Sequence, residues 1–468
     1  MATITTTAGD TFTVCSPVDD EPVSEHPAFT SEAALEAACR AADAQQEWSA
    51  RPFPERRRIL LAAADLLESD ANRICEAFAA ETGSVTAWAE MNIHEAAATL
   101  REAAGLASAP VGELLPSQDA GTTILSERMP AGVALAIVPW NAPMVLAARS
   151  IAIALAVGNA VVIRPSERSP RTAGGILAEV LVRAGVPAEA VPVVTTRPGD
   201  GRAVIGALIA SPWIARVVFI GSTSVGRSVG AQAGEALIPS VLELGGKNAT
   251  IVRADADLDV WIPKLAFSAF ANSGQVCMCT ERIIVHESIA DELVAKLAEL
   301  ADAMTVGDPR GAAIDLGPVI SDDAARHFDE LVTDATFHGA RVVAGGTRHG
   351  RFVRPTVLTG VAPTARLYDE EGFLPIVSIH PFRSDDEAVA IANSGEYGLI
   401  ASVVSADAAA AQRIARRVRA GAVHVNGPSV GDEPHVPFGG LGASGTGRLG
   451  GYDSVRFFTE QRTFYIHD

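Results

Sequence analysis

From residue 131 to residue 243 the chain alternates short aliphatic and β-branched runs with longer stretches of helical periodicity. The short runs AGVALAIVPW, NAVVIRPSE, VPVVTT and RVVFIGS predict strands. The intervening stretches MVLAARSIAIALAVG, TAGGILAEVLVRAG, GRAVIGALIA and TSVGRSVGAQAGE predict helices. Strands and helices in this order form a doubly wound parallel sheet, which binds ligands at the carboxyl ends of its strands. The fold class is therefore predicted to be α/β.

Helical regions precede this series, and a second α/β series follows the segment SVLELGGKNATIV. Residues 31–81 and 85–107 carry Ala and Leu at helical spacing. The second series predicts helices over residues 260–271, 289–300, 322–338, 386–393 and 408–418, and strands over residues 282–286, 341–343, 375–379 and 423–425. The final residues RFFTEQRTFYIHD predict an edge strand, an element suited to contact with another subunit.

The charge balance argues against two classes of partner. The 37 basic and 56 acidic residues give a formal net charge of −19, which disfavours nucleic acid and anionic membranes. The first residues, MATITTTAGDTFTV, lack the basic and apolar regions of a signal peptide, and the longest apolar stretch is interrupted by Arg149. Five scattered cysteines do not suggest a disulfide framework. A cytoplasmic protein is expected.

Three predicted strands end in residues suited to ligand binding. Asn141 follows the first strand, where Asn more often serves a turn but its amide can also donate to an oxyanion. Gly221 and Ser222 precede a predicted helix whose free N–H groups suit a diphosphate. Glu243 ends another strand beside two glycines, where it either reaches into a cleft or forms a salt bridge or helix cap. GLGASG at 440–445 matches G-x-G-x-x-G but follows no hydrophobic strand, so no dinucleotide site is expected there.

The segment GQVCMCTERIIV contains Cys277 and Cys279, one residue apart. A metal site would need two further Cys or His ligands, which the sequence does not place nearby, so no metal is expected. A thiol hydrolase would need a paired His, and no motif identifies one. If the segment is extended, the two Cα atoms lie ~6.5–7 Å apart, at the edge of disulfide reach.

The motifs together resemble the NAD(P)-dependent aldehyde dehydrogenase superfamily over essentially the whole chain. They occur in the family's order and are PWN (139–141), RPSE (164–167), FIGS (219–222), ELGGK (243–247), GQVC (274–277), EEGFLP (370–375), HVNGP (424–428) and PFGGLGASGTGR (437–448). The segments around them are most similar to the benzaldehyde, salicylaldehyde and vanillin dehydrogenase branch.

The resemblance implies an aldehyde dehydrogenase-like architecture with three parts. A Rossmann-type cofactor domain is expected over residues 1–115 and 131–243, and an α/β catalytic domain over residues 244–425. Residues 116–130 and 456–468 are expected to form a small β oligomerisation arm, and residues 426–455 a loop that returns to the cofactor domain. Assembly as a homodimer or homotetramer is implied.

The resemblance also implies a covalent mechanism. Cys277 corresponds to the nucleophile, whose attack on the aldehyde gives a thiohemiacetal with its oxyanion held by the Cys277 N–H and the Asn141 amide. Hydride transfer to the nicotinamide then leaves a thioester. Glu243 corresponds to the general base that deprotonates Cys277 or the hydrolytic water. Relatives that pass the thioester to coenzyme A usually lack this Glu, so hydrolysis to a carboxylate is favoured over acyl transfer or a non-catalytic role.

Ten residues match the family's cofactor contacts. They are Pro139, Trp140, Arg164, Ser166, Glu167, Gly221, Ser222, Gly245, Glu371 and Phe373. Glu167 would repel a 2′-phosphate, which favours NAD, whereas Arg164 replaces the usual Lys and would accept that phosphate, which keeps NADP as the alternative. Leu374 stands where the family continues with Gly.

Substrate contacts are expected from two residues. Ala142 is small and would leave room for a flat ring, and Arg149 lies where the aromatic branch carries Arg. An equally simple interpretation makes Arg149 a solvated or ion-paired helix residue. An aromatic aldehyde is therefore expected, with an aliphatic aldehyde or a semialdehyde as the alternative. Cys279 has no partner motif and is expected to be a bystander.

Overall fold

The computed structural model describes residues 10–311 and 313–468. The first nine residues, which include most of the segment judged not to be a signal peptide, lie outside the described part. A hairpin of β1 (Thr11–Cys15) and β2 (Pro22–Pro27) opens the described chain. Four helices follow, namely α1 (Ser31–Ala50), α2 (Phe53–Ser69), α3 (Ala71–Thr82) and α4 (Thr86–Leu106).

The helical region predicted over residues 31–81 is divided into three helices. Arg51 precedes Pro52 and is extended, because a proline ring disfavours the helical conformation of the residue before it. The second break falls at Asp70, and α3 ends at Gly83 with a φ of 65°. Gly83 suits this left-handed position because it has no Cβ.

The first sheet has the predicted doubly wound form. After β3 (Gly112–Leu115) and β4 (Thr122–Pro130), the chain alternates through β5 (Val133–Val138), α5 (Pro143–Ala156), β6 (Ala160–Pro165), α6 (Ile176–Ala184), α7 (Gly201–Ile209), β7 (Ile214–Ile220), α8 (Thr223–Glu235) and β8 (Ser240–Glu243). The strand order β8-β7-β5-β6 is parallel throughout. This arrangement confirms the α/β fold class.

The segment VPVVTT is reduced to a single bridge between Val193 and Ile163. Its backbone still follows β6, since the Ile163 N–H donates to the Pro192 carbonyl and the Val194 N–H donates to the Ile163 carbonyl. Pro192 has no N–H of its own to extend the ladder. The prediction of a full strand here is therefore wrong.

The second sheet has seven strands. Along the chain its region contains β9 (Ala249–Val252), α9 (Leu258–Phe270), β10 (Arg282–His286), α10 (Glu287–Ala303), α11 (Asp322–Phe337), β11 (Arg341–Ala344), β12 (Arg348–His349), β13 (Phe352–Val353), β14 (Thr356–Thr359), α12 (Arg366–Asp369), β15 (Ile376–Phe382), α13 (Asp385–Ala392), β16 (Ile400–Val404), α14 (Ala408–Ala415) and β17 (Ala422–Val425). The order is β11-β14-β15-β10-β9-β16-β17, with β11 alone antiparallel to its neighbour. Strands β9, β12, β13, β14 and β16 and the short helix α12 were not predicted, whereas the five longer helices match the expected ones closely.

The C-terminal residues return to the first sheet and then leave it. β18 (Gly445–Thr446) pairs antiparallel with β8, α15 (Gly451–Phe457) follows, and β19 (Thr459–His467) pairs along its length with β4. β3 completes this three-stranded antiparallel sheet, although the predicted division gave those residues to the cofactor domain. The exact domain boundaries stay predictions.

Strand ends of the first sheet and a turn that precedes a strand of the second sheet carry the candidate site residues. The carboxyl ends of β5, β7 and β8 carry Asn141, Gly221 and Glu243, and the turn before β10 carries Cys277. The largest hydrophobic cluster lies beneath this region and combines α1 to α6 with the first sheet. Within the described ranges, every helix is too short or too polar to cross a bilayer.

Candidate active site

A cavity of about 270 Å³ lies where these strand ends meet. Most of the predicted site residues line it, namely Pro139, Trp140, Asn141, Arg149, Gly221, Ser222, Glu243, Gly245, Cys277, Glu371 and Phe373. The remaining wall is apolar and consists of Leu146, Ile220, Leu244, Phe438 and Leu449. Six separate stretches of the chain are therefore brought to one site.

Cys277 lies in a turn, and the extended conformation considered for its segment is wrong. The Cys279 N–H donates to the Val276 carbonyl at 2.8 Å, and the Asn248 amide donates to the carbonyls of Cys277 and Cys279. The turn follows Asn272 and Ser273, whose φ values are 48° and 58°. Gly274 comes next and passes directly against the Leu374 carbonyl, where a Cβ would overlap backbone atoms.

This turn directs the two thiols to different surroundings. Cys277 is partly exposed and lines the cavity. Cys279 is buried in the main hydrophobic cluster, where its S–H donates to the Ala271 carbonyl at 3.7 Å. All five cysteines are free. Burial raises the pKa of the Cys277 thiol, and nearby carboxylates, first that of Glu243, raise it further.

Glu243 is buried and its charge is uncompensated by hydrogen bonds. Neither carboxylate oxygen has a hydrogen-bond partner among the described residues, and the side chain is 5 % exposed. Burial raises the pKa of Glu243 well above its ordinary value, while the guanidinium groups of Arg149 and Arg448 oppose that rise. A raised pKa makes this carboxylate a stronger base than an exposed one.

The glycine-rich segment at 437–448 packs against Glu243. A Cβ at Gly439 would lie 2.9 Å from Glu243 Oε1, and Gly445 pairs with Glu243 in the ladder of β18 and β8. The absence of side chains at these glycines leaves room for the carboxylate. The sequence predicted that the G-x-G-x-x-G match inside this segment lies outside any βαβ unit. In the structure it likewise does not open a helix of such a unit.

Asn141 is fixed through its backbone. Its carbonyl accepts hydrogen bonds from the Trp88 indole N–H at 2.9 Å and the Asn272 amide at 3.0 Å. Ser84 in turn donates to Asn272 Oδ1, which orients that amide. Trp88, Asn272 and Ser84 therefore hold Asn141 at the cavity wall, where the residue is 4 % exposed.

Arg149 forms an ion pair, as one interpretation of the sequence expected. It also lines the cavity, where the substrate contact of the other interpretation stays a prediction. Its Nη2 lies 2.5 Å from Asp432 and donates to the Glu433 carbonyl, and the guanidinium lies over the Phe438 ring. Nη1 is buried without a hydrogen-bond partner in the described chain. Burial raises the pKa of Asp432, which Arg149 counteracts.

Glu371 and Phe373 project from the loop before β15. Glu371 Oε1 accepts a hydrogen bond from the Gly246 N–H at 2.8 Å, and burial raises the pKa of Glu371 to about 8. The Phe373 ring meets the Trp140 ring edge-on, with 5.9 Å between centroids. The Leu374 side chain points away from the cavity into a separate hydrophobic cluster, so the departure from the family pattern does not reach the cavity wall.

Arg164 and Glu167 line a second cavity, of about 390 Å³, on the other side of the α8 N-terminus. Arg164 Nη2 lies 2.9 Å from Glu167 Oε2 and donates to Thr196 Oγ1 at 2.8 Å. Ser222 lines the first cavity, whereas Ser224 and Val225 line the second. An elongated ligand with a diphosphate at its centre therefore fits across the free N–H groups that begin α8.

Two predicted residues lie outside both cavities. Ser166 is buried and accepts a hydrogen bond from the Arg168 N–H. Ala142 is buried in the main hydrophobic cluster immediately before α5, and its substrate role stays a prediction. Asp432 and Leu449 were not predicted, because they reach the site from a C-terminal loop without regular periodicity, and Phe438 stood in the motif PFGGLGASGTGR without an assigned role.

The fold and the site define an aldehyde-oxidising enzyme, and comparison with known proteins agrees. The model of the aldehyde dehydrogenase family matches residues 4–464. The chain belongs to the aldehyde dehydrogenase family.

Individual relatives are similar over nearly the full length. Vanillin dehydrogenase of Pseudomonas fluorescens is 41% identical, and the alignment covers 97% of this chain and 94% of that protein. Benzaldehyde dehydrogenase [NAD(+)] of Pseudomonas putida is 40% identical, with 92% and 87% covered. The crystal structure of a salicylaldehyde dehydrogenase from Pseudomonas putida G7 complexed with salicylaldehyde superposes with a TM-score of 0.95 at 38% identity, covering 98% and 95% of the two chains.

Proposed function

We propose that this protein oxidises an aromatic aldehyde to its carboxylate with NAD, through a thioester on Cys277. The observation that carries the proposal is the convergence of Cys277, Asn141 and Glu243 on one apolar cavity. Glu243 has two buried oxygens free to accept a proton. Such an arrangement provides a nucleophile, an oxyanion donor and a base in a single site.

Each residue has a distinct part in this chemistry. The Cys277 sulfur attacks the aldehyde carbon, and the resulting oxyanion accepts hydrogen bonds from the Asn141 amide and the Cys277 N–H. Glu243 takes a proton from the water that hydrolyses the thioester. The apolar wall excludes other water and strengthens these interactions.

Residues on both sides of α8 are suited to hold NAD. Glu371, Phe373 and Trp140 would contact its nicotinamide half, and Glu167 with Arg164 its adenosine half. Bound NAD supplies the hydride acceptor for the oxidation. The benzaldehyde dehydrogenase relative is described as NAD-dependent, which supports NAD over NADP.

The choice of NAD over NADP is expected to depend on Glu167. Because its carboxylate occupies one side of the Arg164 guanidinium, Glu167→Gln removes a charge that repels the 2′-phosphate and releases Arg164. We expect the KM for NADP to fall by about tenfold, since one charge interaction is worth roughly 1–2 kcal/mol. Steady-state kinetics with both cofactors measures this change. Glu189→Gln, the same substitution at an exposed residue, serves as the control, and an unchanged NADP preference in Glu167→Gln would contradict the role of Glu167.

The aromatic preference rests on the cavity wall and on the relatives. Leu146, Phe438 and Leu449 are apolar and line the same cavity as Cys277, which suits an aromatic ring. Arg149 lines this cavity, and its Nη1 has no hydrogen-bond partner among the described residues, so it is suited to donate to a polar ring substituent. The relatives named as vanillin, salicylaldehyde and benzaldehyde dehydrogenases are each 40–41% identical to this chain.

A substrate panel tests the proposal. We expect benzaldehyde, salicylaldehyde and vanillin to give higher kcat/KM than hexanal or succinic semialdehyde, with NAD preferred to NADP. The measurement is the rate at which reduced nicotinamide forms, with and without coenzyme A. A strong aliphatic preference would contradict the substrate class, and turnover that requires coenzyme A would contradict hydrolysis.

The proposal includes a location and an assembly. Free cysteines throughout the chain support a reducing compartment, and we propose the cytoplasm. The outer strand β19 is exposed along almost its whole length and carries Phe464, Tyr465 and Ile466 at the surface. Such an edge suits pairing with another copy, so we propose a homodimer or homotetramer.

A further inference from the structure

Lys247 and Glu281 form an ion pair in the interior, beside the loop that carries Glu371 and Phe373. Lys247 Nζ lies 2.6 Å from Glu281 Oε2, and each residue is 4 % exposed. Neither residue lines the cavity. Removing two charges from water is costly, and apolar residues often replace such a pair without loss of stability. The burial of this ion pair therefore indicates a role other than stabilisation of the fold.

The pair binds the backbone of the loop at three points. Glu281 Oε1 accepts hydrogen bonds from the Gly372 and Phe373 N–H groups, both at 3.0 Å, and Oε2 accepts a second one from Gly372 at 2.9 Å. Lys247 Nζ also donates to the Glu370 carbonyl at 2.7 Å. The residues on either side of Glu371 are consequently tied to the interior, while its side chain lines the cavity.

The loop needs such support because its conformation is unfavourable by itself. Phe373 has a φ of 52°, in the left-handed region that L-residues with large side chains rarely adopt. In this conformation its ring reaches Trp140 at the cavity wall. Strained residues persist where surrounding contacts determine them, and here the N–H groups of Phe373 and its neighbour Gly372 both donate to Glu281.

We propose that Lys247 and Glu281 are positioning residues that hold the loop 370–373 in the shape that binds the nicotinamide half of NAD. The inference rests on the proposed function, because it takes Glu371 and Phe373 to contact NAD. The pair acts through the loop and touches neither substrate nor cofactor. Its loss should weaken NAD binding while leaving the chemistry of Cys277 in place.

A pair of double variants tests this role in the full-length protein. Lys247→Met with Glu281→Leu removes the acceptor for the loop without burying an unpaired charge, and Lys247→Met with Glu281→Gln keeps one acceptor oxygen. We expect the first to raise the KM and Kd for NAD by about tenfold, the effect of losing a well-placed hydrogen-bonded contact. The second should recover part of that loss. Hydrolysis of p-nitrophenyl acetate without NAD, which needs Cys277 and Glu243 but not the cofactor loop, should stay within about twofold of the parent in both.

Several controls separate the possible results. Glu81→Gln alters another buried carboxylate that accepts hydrogen bonds from two consecutive N–H groups, those of Arg171 and Thr172, and should leave the KM for NAD near the parent value. Unchanged NAD affinity in both double variants would overturn the inference while aldehyde oxidation by the parent still stands. Equal loss of esterase activity and NAD affinity would also overturn it, since that result indicates general disruption. A parent that neither binds NAD nor oxidises aldehydes would overturn the proposed function and the inference with it.

Discussion

Cys277→Ser is expected to abolish aldehyde oxidation, whereas Cys279→Ser should retain most of it. A serine hydroxyl is a far weaker nucleophile than a thiol, so the loss at position 277 should reach about 10³-fold or more in kcat/KM. Cys279 lies in the hydrophobic cluster and donates to the Ala271 carbonyl, a contact that a serine hydroxyl can also make. Burying that hydroxyl should cost about 1 kcal/mol of stability at most.

Both variants are compared with the parent by steady-state oxidation and by thermal unfolding. Trapping of the acyl-enzyme with mass spectrometry identifies the modified cysteine directly. Because the two residues are neighbours in sequence with different surroundings, each serves as the matched control for the other. Equal losses of activity from the two substitutions, with unchanged unfolding temperatures, would show that the thiols act as a unit and that Cys279 is not a bystander.

The order of helices and strands in the sequence was enough to predict that the site residues lie close together. Asn141, Gly221 and Glu243 each follow a strand of one parallel sheet, and the carboxyl ends of parallel strands share an edge. Their proximity therefore follows from local sequence patterns and a general rule of topology. The family resemblance added Cys277 and Glu371, whose loops no periodicity identifies.

Other features depend on contacts between residues distant in the chain. The ion pair of Arg149 and Asp432 joins α5 to a C-terminal loop, and nothing in either segment marks the other as its partner. Lys247 belongs to the motif ELGGK and Glu281 to the segment GQVCMCTERIIV, yet their contacts with the loop are seen only in the folded chain. The turn at Cys277 was likewise not predicted, because the sequence around it resembles that of a strand.

Strand β16 shows a different reason why an element could not be predicted from the sequence. Its residues IASVV are apolar and buried on both faces, a pattern shared by short buried helices. Only pairing with β9 and β17 decides its conformation, and that pairing joins residues far apart in the chain. β14 is similar, with four residues held between β11 and β15.

Glu243→Gln is expected to separate the two halves of the reaction. Because neither Glu243 oxygen has a hydrogen-bond partner in the described chain, the nearly isosteric amide should fit without breaking a contact. Loss of the base that activates water should lower steady-state turnover by about 10²–10⁴-fold. The negative charge of Glu243 raises the pKa of Cys277, so its removal should make the thiolate easier to form. A first burst of reduced nicotinamide should therefore persist, and rapid-mixing kinetics can resolve it from the slow turnover.

The pH dependence of turnover tests the role of Glu243 as the base independently. Glu243 acts as a base in its charged form, and burial raises its pKa well above the ordinary value. Turnover by the parent should therefore fall as the pH decreases through that raised pKa, and the residual turnover of Glu243→Gln should lose this limb. Glu396→Gln, at an exposed carboxylate paired with Arg227, provides the matched control and should keep the parental profile. A burst that slows in step with turnover would instead show that Glu243 also deprotonates Cys277, since a raised thiol pKa makes the nucleophile dependent on a neighbouring base.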